Sequence, residues 1–357
     1  MDTNRKKIRV VVCGTNFGRI YLKGIEQRKN CQLVGILSRG SQQSQECAKK
    51  YGVPLYHTVD ELDVSMVDMV CVAIKSSVTG GAGTRIALQC LEKGINVLQE
   101  QPVHYDDVWK CYKTALSHHC FYSVNSFYSN IRAGRIFTSC AEKLREKTGL
   151  LCMEASCSIQ VIYPLLDLMG KVFGSVSPLK IEKISQNNEV LTVLEGSICN
   201  IPLLLKVENR MVTEDADNYA LLYHKIHLFT ESGLLTMDSS IGFVLWEPRY
   251  FIPHAEDGSL DLYGDNEDSK MPVTEILNPE DETNSYQDIY SSVWPEGIAK
   301  AIQDFSELIE CGNVKQKMQY QLNLCKEWSR LGAVLGPIKT IEKTDFVRLR
   351  AKDIMEG

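Results

Sequence analysis

Two segments near the start of the chain carry residue types suited to a phosphate-bearing ligand. An apolar run, Ile8-Arg9-Val10-Val11-Val12, leads into Cys13-Gly14-Thr15-Asn16-Phe17-Gly18, and a helical stretch follows. Strand, tight glycine turn and helix start together let backbone N–H groups approach a pyrophosphate at a helix N-terminus. A second apolar run, Leu33-Val34-Gly35-Ile36-Leu37, ends in Ser38-Arg39-Gly40-Ser41. That strand end is expected beside the adenosine ribose, where NAD-binding proteins usually place Asp or Glu on the 2′-hydroxyl. A carboxylate would repel a 2′-phosphate, whereas a guanidinium flanked by hydroxyls attracts one. The expected cofactor is therefore NADPH/NADP+. Gly14, Thr15, Asn16, Phe17 and Gly18 would cradle its pyrophosphate, and Ser38, Arg39, Gly40 and Ser41 would hold its phosphorylated ribose. The turn has only two glycines, so a strand–turn–helix of another α/β protein is the competing reading. Lys75, with Ser76 and Ser77, follows a buried strand pattern and is expected along the diphosphate or ribose, or else at a solvated strand end.

The elements around these residues alternate in type. Strand patterns at 8–13, 32–37, 54–57, 67–74, 95–99 and 121–125 interleave with helical patterns at 18–29, 42–51, 58–63, 80–93 and 105–118. The nearly unbroken apolar run Val67–Ile74 predicts a parallel strand buried on both faces. Residues 1–125 thus read as a doubly wound α/β Rossmann domain. Residues 126–339 change rhythm. Helices are predicted at 130–145 and 157–173, then strands at 180–186, 189–194, 203–211, 221–230, 233–239 and 242–247. Helices near 296–311 and 314–332 complete the pattern. This is an α+β domain with an open, mostly antiparallel sheet, and 340–357 reads as an exposed tail.

Composition narrows the partners. A net charge of −6 gives no general affinity for nucleic acid or an anionic membrane. Residues 256–282 hold ten Asp or Glu against one Lys, so 254–288 reads as a polar surface loop, with docking or a lid role as the alternative. The 13 cysteines show no Cys-x-x-Cys spacing. Free thiols in a reducing cytoplasm are expected, with no disulfide frame or metal site. No run approaches the length of a membrane span.

After the fifth strand comes Val97-Leu98-Gln99-Glu100-Gln101-Pro102-Val103-His104. It resembles the Glu-Lys-Pro motif of the Gfo/Idh/MocA oxidoreductases, with Gln101 in the lysine's place. The resemblance implies that Glu100 and Pro102 lie on the cofactor side, the proline fixing the loop under the nicotinamide. An amide cannot give up a proton at neutral pH, though it donates and accepts hydrogen bonds. The stretch Tyr163–Asp167 also lacks the histidine that sugar dehydrogenases of that family carry. Sugar oxidation is therefore disfavoured.

Gly14–Gly18 with Tyr21-Leu22, the strand end Ser38–Ser41, Glu100–His104 and Val124-Asn125-Ser126-Phe127-Tyr128 together resemble the thiazolinyl imine reductases of siderophore assembly. That resemblance implies NADPH-dependent reduction of a thiazoline C=N bond on a substrate tethered to a carrier protein of a non-ribosomal peptide synthetase. It also implies a homodimer. Imine reduction needs hydride at carbon and a proton at nitrogen. Tyr128, following the sixth strand, is the candidate acid, directly or through an ordered water; its alternative is a tyrosine packed at the domain junction. His104 is a second proton source or the start of the helix at 105–118. Gln101 reads as a positioning group. Trp246, Tyr250, Phe251 and Trp294 either line a pocket or pack in the core. Two rival functions stand beside this one: another Gfo/Idh/MocA-type oxidoreductase acting on a sugar or biliverdin-like substrate, and a non-catalytic NADP-binding sensor.

Overall fold

The computed structural model describes residues 7–74, 81–184, 189–281 and 284–355. Val10, Val11 and Val12 of β1 (Ile8–Cys13) are wholly buried, because a central parallel strand is covered on both faces. Each such side chain contributes roughly 1.5–3 kcal/mol by leaving water. The chain continues through α1 (Gly18–Glu26), β2 (Cys31–Leu37), α2 (Gln42–Tyr51), β3 (Leu55–Tyr56), β4 (Met69–Val72), α3 (Ala82–Glu92), β5 (Asn96–Glu100), α4 (Tyr105–Ser117) and β6 (Tyr122–Asn125). These strands form one parallel sheet in the order β3-β2-β1-β4-β5-β6. The order reverses between β1 and β4, and open α/β sheets bind ligands at the strand ends beside such a reversal. The helix expected at 58–63 is a single 3-10 turn, Val59–Glu61, closed by reciprocal Thr58 and Glu61 contacts. Lys75, Ser76 and Ser77 lie outside the described residues.

The second sheet is built after α5 (Arg132–Lys147). The chain there runs through β7 (Leu150–Ser158), α6 (Ile162–Phe173), β8 (Leu179–Lys183), β9 (Thr192–Ile198), β10 (Ile201–Glu208), β11 (Arg210–Met211), β12 (Lys225–Thr230), β13 (Gly233–Met237), β14 (Val244–Pro248) and β15 (Glu275–Ile276), with β11 outside the sheet. Eight strands run in the order β15-β14-β13-β12-β7-β10-β9-β8. All neighbours are antiparallel except β7 and β10, so the sheet is mixed. A one-turn α7 (Tyr286–Asp288) precedes α8 (Trp294–Cys311) and α9 (Lys315–Leu335). The chain then adds β16 (Lys339–Thr340), paired with β11, and α10 (Ala351–Met355).

Two expectations are corrected here. Residues 157–158 do not begin a helix: they end β7, a central strand. Met153, Ala155 and Cys157 are buried while Cys152, Glu154 and Ser156 are half-exposed, an alternation of period two. The helix starts only at Ile162. Likewise, residues 221–224 precede β12 rather than forming its first part. Side chains take two of their N–H groups, Leu221 N–H donating to Glu208 Oε2 at 2.9 Å and Leu222 N–H to Ser158 Oγ at 3.2 Å, while the Leu222 carbonyl accepts from Ser158 N–H at the end of β7 at 3.0 Å.

The two sheets are joined by side chains as well as chain. Edge strand β6 leaves Val124 without a strand partner on one side. Gln321 of α9 fills that place, accepting from Val124 N–H at 3.0 Å and donating to its carbonyl at 2.6 Å. A buried amide thus continues the ladder, closes the edge and fixes α9 against the sheet. Among the described residues no helix is long and apolar enough to cross a membrane. The 13 cysteines are unpaired and most are buried, packed as small apolar groups.

Candidate active site

A cleft of ≈ 2000 Å³ opens at the C-terminal ends of the parallel strands and runs to the second sheet. Of the residues singled out in the sequence, Gly14, Thr15, Asn16, Phe17, Ser38, Arg39, Glu100, Gln101, Pro102, His104 and Tyr128 line it. Gly18 and Gly40 do not, and neither does Ser41. Ser41 is the N-cap of α2, and its Oγ accepts from Ser44 N–H at 3.3 Å. Trp294 lines the cleft, Trp246 packs over Gly233 in the second sheet, and Tyr250 and Phe251 are exposed.

The turn that carries Tyr128 is strained and clamped. Phe127 has φ 61° and ψ −69°, and Tyr128 N–H donates to Ser126 O at 2.8 Å. Those angles define a γ-turn that L-residues rarely adopt, at a cost of about 1–3 kcal/mol. Asp167 of α6 compensates. Its Oδ2 accepts from Ser126 Oγ and Ser129 Oγ, both at 2.5 Å, so one carboxylate grips both ends of the turn. Tyr320 donates to Oδ1 at 3.0 Å, and Lys171 Nζ donates to Ser129 Oγ at 2.6 Å. Burial works to raise the Asp167 pKa, but Lys171, Lys317 and the two serines outweigh it and hold the carboxyl below its ordinary range. Gly134 of α5 admits the turn from the other side: a Cβ there would sit 2.3 Å from the Tyr128 carbonyl oxygen. The Phe127 ring packs edge-on to Phe17 at 5.5 Å and Trp294 at 5.4 Å.

Glu100, at the end of β5, turns away from the motif's other residues. It accepts from the Tyr21 hydroxyl and from Asn125 Nδ2 at 3.1 Å. Burial pushes its carboxyl up to about 8, against the pull of those two partners. Gln101 precedes a cis proline, and its Oε1 is buried without a partner. His104 stands at the N-cap of α4 without capping it; Asp106 and Asp107 provide the acidic first turn. Its ring packs at a tilt of 38° against Trp328 at 5.0 Å, and its Nε2 is buried and unpartnered. Gln160 Oε1 and Trp294 Nε1 share that condition and also line the cleft. Unpaired buried polar atoms cost about 1–3 kcal/mol each unless a ligand or water meets them.

Tyr128 is 7% exposed and packs against Tyr223 at 5.7 Å and His224 at 4.8 Å. Burial, with Tyr223 packed beside it, raises its pKa well above the ordinary phenol value. His224 is wholly buried, with Nδ1 3.0 Å from Ser240 Oγ and Nε2 2.8 Å from the Val161 carbonyl. Burial depresses its pKa to about 4, so it is a neutral, fixed ring beneath Tyr128. Tyr223, His224, Gln160 and Trp328 are the residues that sequence reasoning missed.

Residues 8–126 match the oxidoreductase family model with an NAD-binding Rossmann fold, GFO_IDH_MocA. Residues 150–247 match the C-terminal model of the Irp3-like thiazolinyl imine reductases. The chain thus joins a Gfo/Idh/MocA oxidoreductase Rossmann domain to an Irp3-like C-terminal part. No curated relative matches it in sequence. Among solved structures it is similar to KijD10, a 3-ketoreductase from Actinomadura kijaniata, crystallised as a variant with TDP-benzene and NADP. The TM-score is 0.64 at 16% identity, covering 94% of this chain and 99% of that one. It is also similar to UDP-N-acetylglucosamine 3-dehydrogenase GnnA from Acidithiobacillus ferrooxidans (TM-score 0.63, 15% identity, 92% and 97% covered). A third is an oxidoreductase from Agrobacterium radiobacter in complex with NAD+, L-tartaric acid and magnesium (TM-score 0.64, 10% identity, 91% and 95% covered). At these identities the likeness shows a shared fold.

In this Gfo/Idh/MocA Rossmann domain the first turn fits a dinucleotide. Gly14 has φ 93°, and a Cβ there would meet the Ala73 carbonyl oxygen at 3.0 Å, so only glycine keeps the turn tight. Arg39 lines the cleft beside Ser38, and the orphaned Gln101 amide oxygen stands ready for a hydrogen-bond donor.

Proposed function

We propose that the protein reduces a cyclic imine, a thiazoline to a thiazolidine, with NADPH, on an intermediate carried by a siderophore-assembling peptide synthetase. The observation that carries the reading is the second half of the chain. The part that matches the thiazolinyl imine reductase model supplies the wall opposite the nucleotide turn, including Gln160, Ala216 and Tyr223. The preference for NADPH rests on Ser38 and Arg39 at the end of β2, where a carboxylate would serve NAD.

When bound, the dihydronicotinamide supplies hydride to the ring carbon. The chain's own residues do the rest. Gly14 to Phe17 present backbone to the pyrophosphate, and Arg39 faces the phosphorylated ribose. The Gln101 amide positions the nicotinamide or the heterocycle without exchanging a proton. The Tyr128 phenol keeps its proton at neutral pH and serves its delivery to the ring nitrogen, directly or through a group between them. Neither a lysine at position 101 nor a histidine in Tyr163–Asp167 is present to deprotonate an alcohol, which favours reduction over oxidation.

The test is NADPH oxidation with a synthetic aryl-thiazoline thioester, against sugar and polyol panels. Thiazoline turnover is expected, with Tyr128→Phe slower by ten-fold or more. Arg39→Ala is expected to weaken NADPH about 10- to 100-fold while leaving NADH unchanged. Polyol oxidation without thiazoline turnover would replace this reading. Tight NADPH binding with no turnover on any imine or carbonyl would favour a sensor.

A further inference from the structure

We infer that Tyr223 is a second catalytic phenol, the cleft-facing member of a two-tyrosine pair that hands the proton to the substrate nitrogen. The inference rests on the imine-reductase reading and assigns its proton step to named atoms. Three observations carry it. First, Tyr128 is 7% exposed and its ring is closed in by Phe127 at 4.9 Å, His224 at 4.8 Å and Tyr223 at 5.7 Å. Tyr223 is half-buried and lies on the open side of that stack, lining the cleft with Tyr290 and Trp294.

Second, the position of Tyr223 is built. Just ahead of β12, the Glu208 and Ser158 side chains accept from Leu221 and Leu222 N–H, and Ser158 N–H donates to the Leu222 carbonyl. The next residue, His224, is anchored at both ring nitrogens. Tyr223 therefore sits on a short, doubly pinned segment at the mouth of the second sheet. Third, the two phenols are unequal. Tyr128 is the more deeply enclosed, and burial with Tyr223 beside it raises its pKa well above the ordinary phenol value, whereas half-buried Tyr223 is raised less. Tyr223 is thus the better acid of the two.

The step balances as follows. As hydride arrives at the ring carbon, the C=N π pair moves to nitrogen and takes the proton from the Tyr223 O–H. The charge left on the Tyr223 oxygen is stabilised by the neighbouring Tyr128 hydroxyl, which keeps its own proton and turns to donate to the forming anion. Water from the open side of the cleft returns the proton to Tyr223. No phenolate forms at the enclosed Tyr128 oxygen.

The experiment compares wild type, Tyr223→Phe and Tyr128→Phe in steady-state reduction of the thiazoline thioester, in water and in deuterium oxide. Direct NADPH binding and thermal unfolding are measured on the same samples. Tyr223→Phe is expected to lower kcat by about 10²- to 10⁴-fold, abolish the solvent isotope effect and leave NADPH affinity and unfolding near wild type. Tyr128→Phe is expected to lower kcat by the smaller factor of about 10 to 100, the loss of one hydrogen bond to a charged oxygen. Full activity in Tyr223→Phe, or a deeper loss in Tyr128→Phe than in Tyr223→Phe, overturns the assignment while the imine-reductase reading stands. Absence of thiazoline turnover in wild type overturns that reading, and the assignment with it.

Discussion

Glu100 is a carboxyl group placed where its charge is unwelcome, and replacing it tests that statement directly. Among the described residues its carboxyl bonds to the Tyr21 hydroxyl, the Asn125 amide and the Gln101 backbone, and burial lifts its pKa from 4.5 to about 8. The folded protein therefore holds a proton on Glu100 that the unfolded chain releases above about pH 4.5. Folding stability must fall as pH rises through that window, by about 1.4 kcal/mol per pH unit, until the folded group itself ionises near 8. From pH 6 to pH 8 the expected loss is about 2 kcal/mol, allowing for partial ionisation at the upper end. Glu100→Gln keeps the shape and the acceptor for Tyr21 and Asn125 but cannot titrate. The assay is urea unfolding of both proteins at several pH values, using midpoints at constant slope. Other titrating groups cancel in the difference, which should grow in the variant's favour by about 2 kcal/mol between pH 6 and 8. Parallel curves for the two proteins would refute the claim that this carboxyl is buried uncharged.

His224 gives the opposite sign. Its pKa is depressed from 6.5 to about 4, so the unfolded chain binds the proton that the folded one refuses. Its contribution is complete above pH 6.5 and is lost as pH falls toward 4, by up to about 3 kcal/mol. His224→Asn should flatten that acid limb in the same unfolding assay, whatever its effect on absolute stability. Gly134→Ala places a methyl 2.3 Å from the Tyr128 carbonyl oxygen. The turn or the helix must give way, at about 1–3 kcal/mol. Turnover should fall well before NADPH affinity does, and equal loss of both would mean that the turn does not serve the reaction.

Much of the first sheet was legible because its signals are local. Val10–Val12 into Gly14 is strand and turn within a few residues, and Ser41 and Gly52 mark the ends of α2 by their own chemistry. In the second sheet β7 was hidden. Its buried face is Met153, Ala155 and Cys157, which carry no strand preference of their own, and its place at the centre of the sheet comes from partners 50 to 80 residues away. Tyr223 and His224 were concealed for the reverse reason. Leu221–Thr230 is apolar enough to read as one strand, and the side chains of Glu208 and Ser158, distant in sequence, take the Leu221 and Leu222 N–H groups ahead of its start. Gln160 and Trp328 gave no local signal. Asp167 was noticed only for the histidine missing beside it, whereas its part in the structure is to grip Ser126 and Ser129.

That grip explains where the reactive phenols stand. The γ-turn at Phe127 is the first structure after the last parallel strand, so it is the hinge point through which the nucleotide half passes into the second sheet. Its strain persists because groups from both halves over-determine it. Asn125 Oδ1 accepts from Phe127 N–H at 3.0 Å on one side, Asp167 binds the serines on the other, and Phe17 and Trp294 enclose the ring between them. Phe17 belongs to the nucleotide turn, while Trp294 opens α8. Any shift between the halves is therefore felt at the Tyr128 backbone, one residue on. The nucleotide half supplies a cradle of backbone and small residues, and the second half supplies Tyr223, His224 and the clamp. On the proposed reading the second half sets the chemistry, so exchanging its residues alone is the change expected to redirect the reaction while leaving cofactor binding in place.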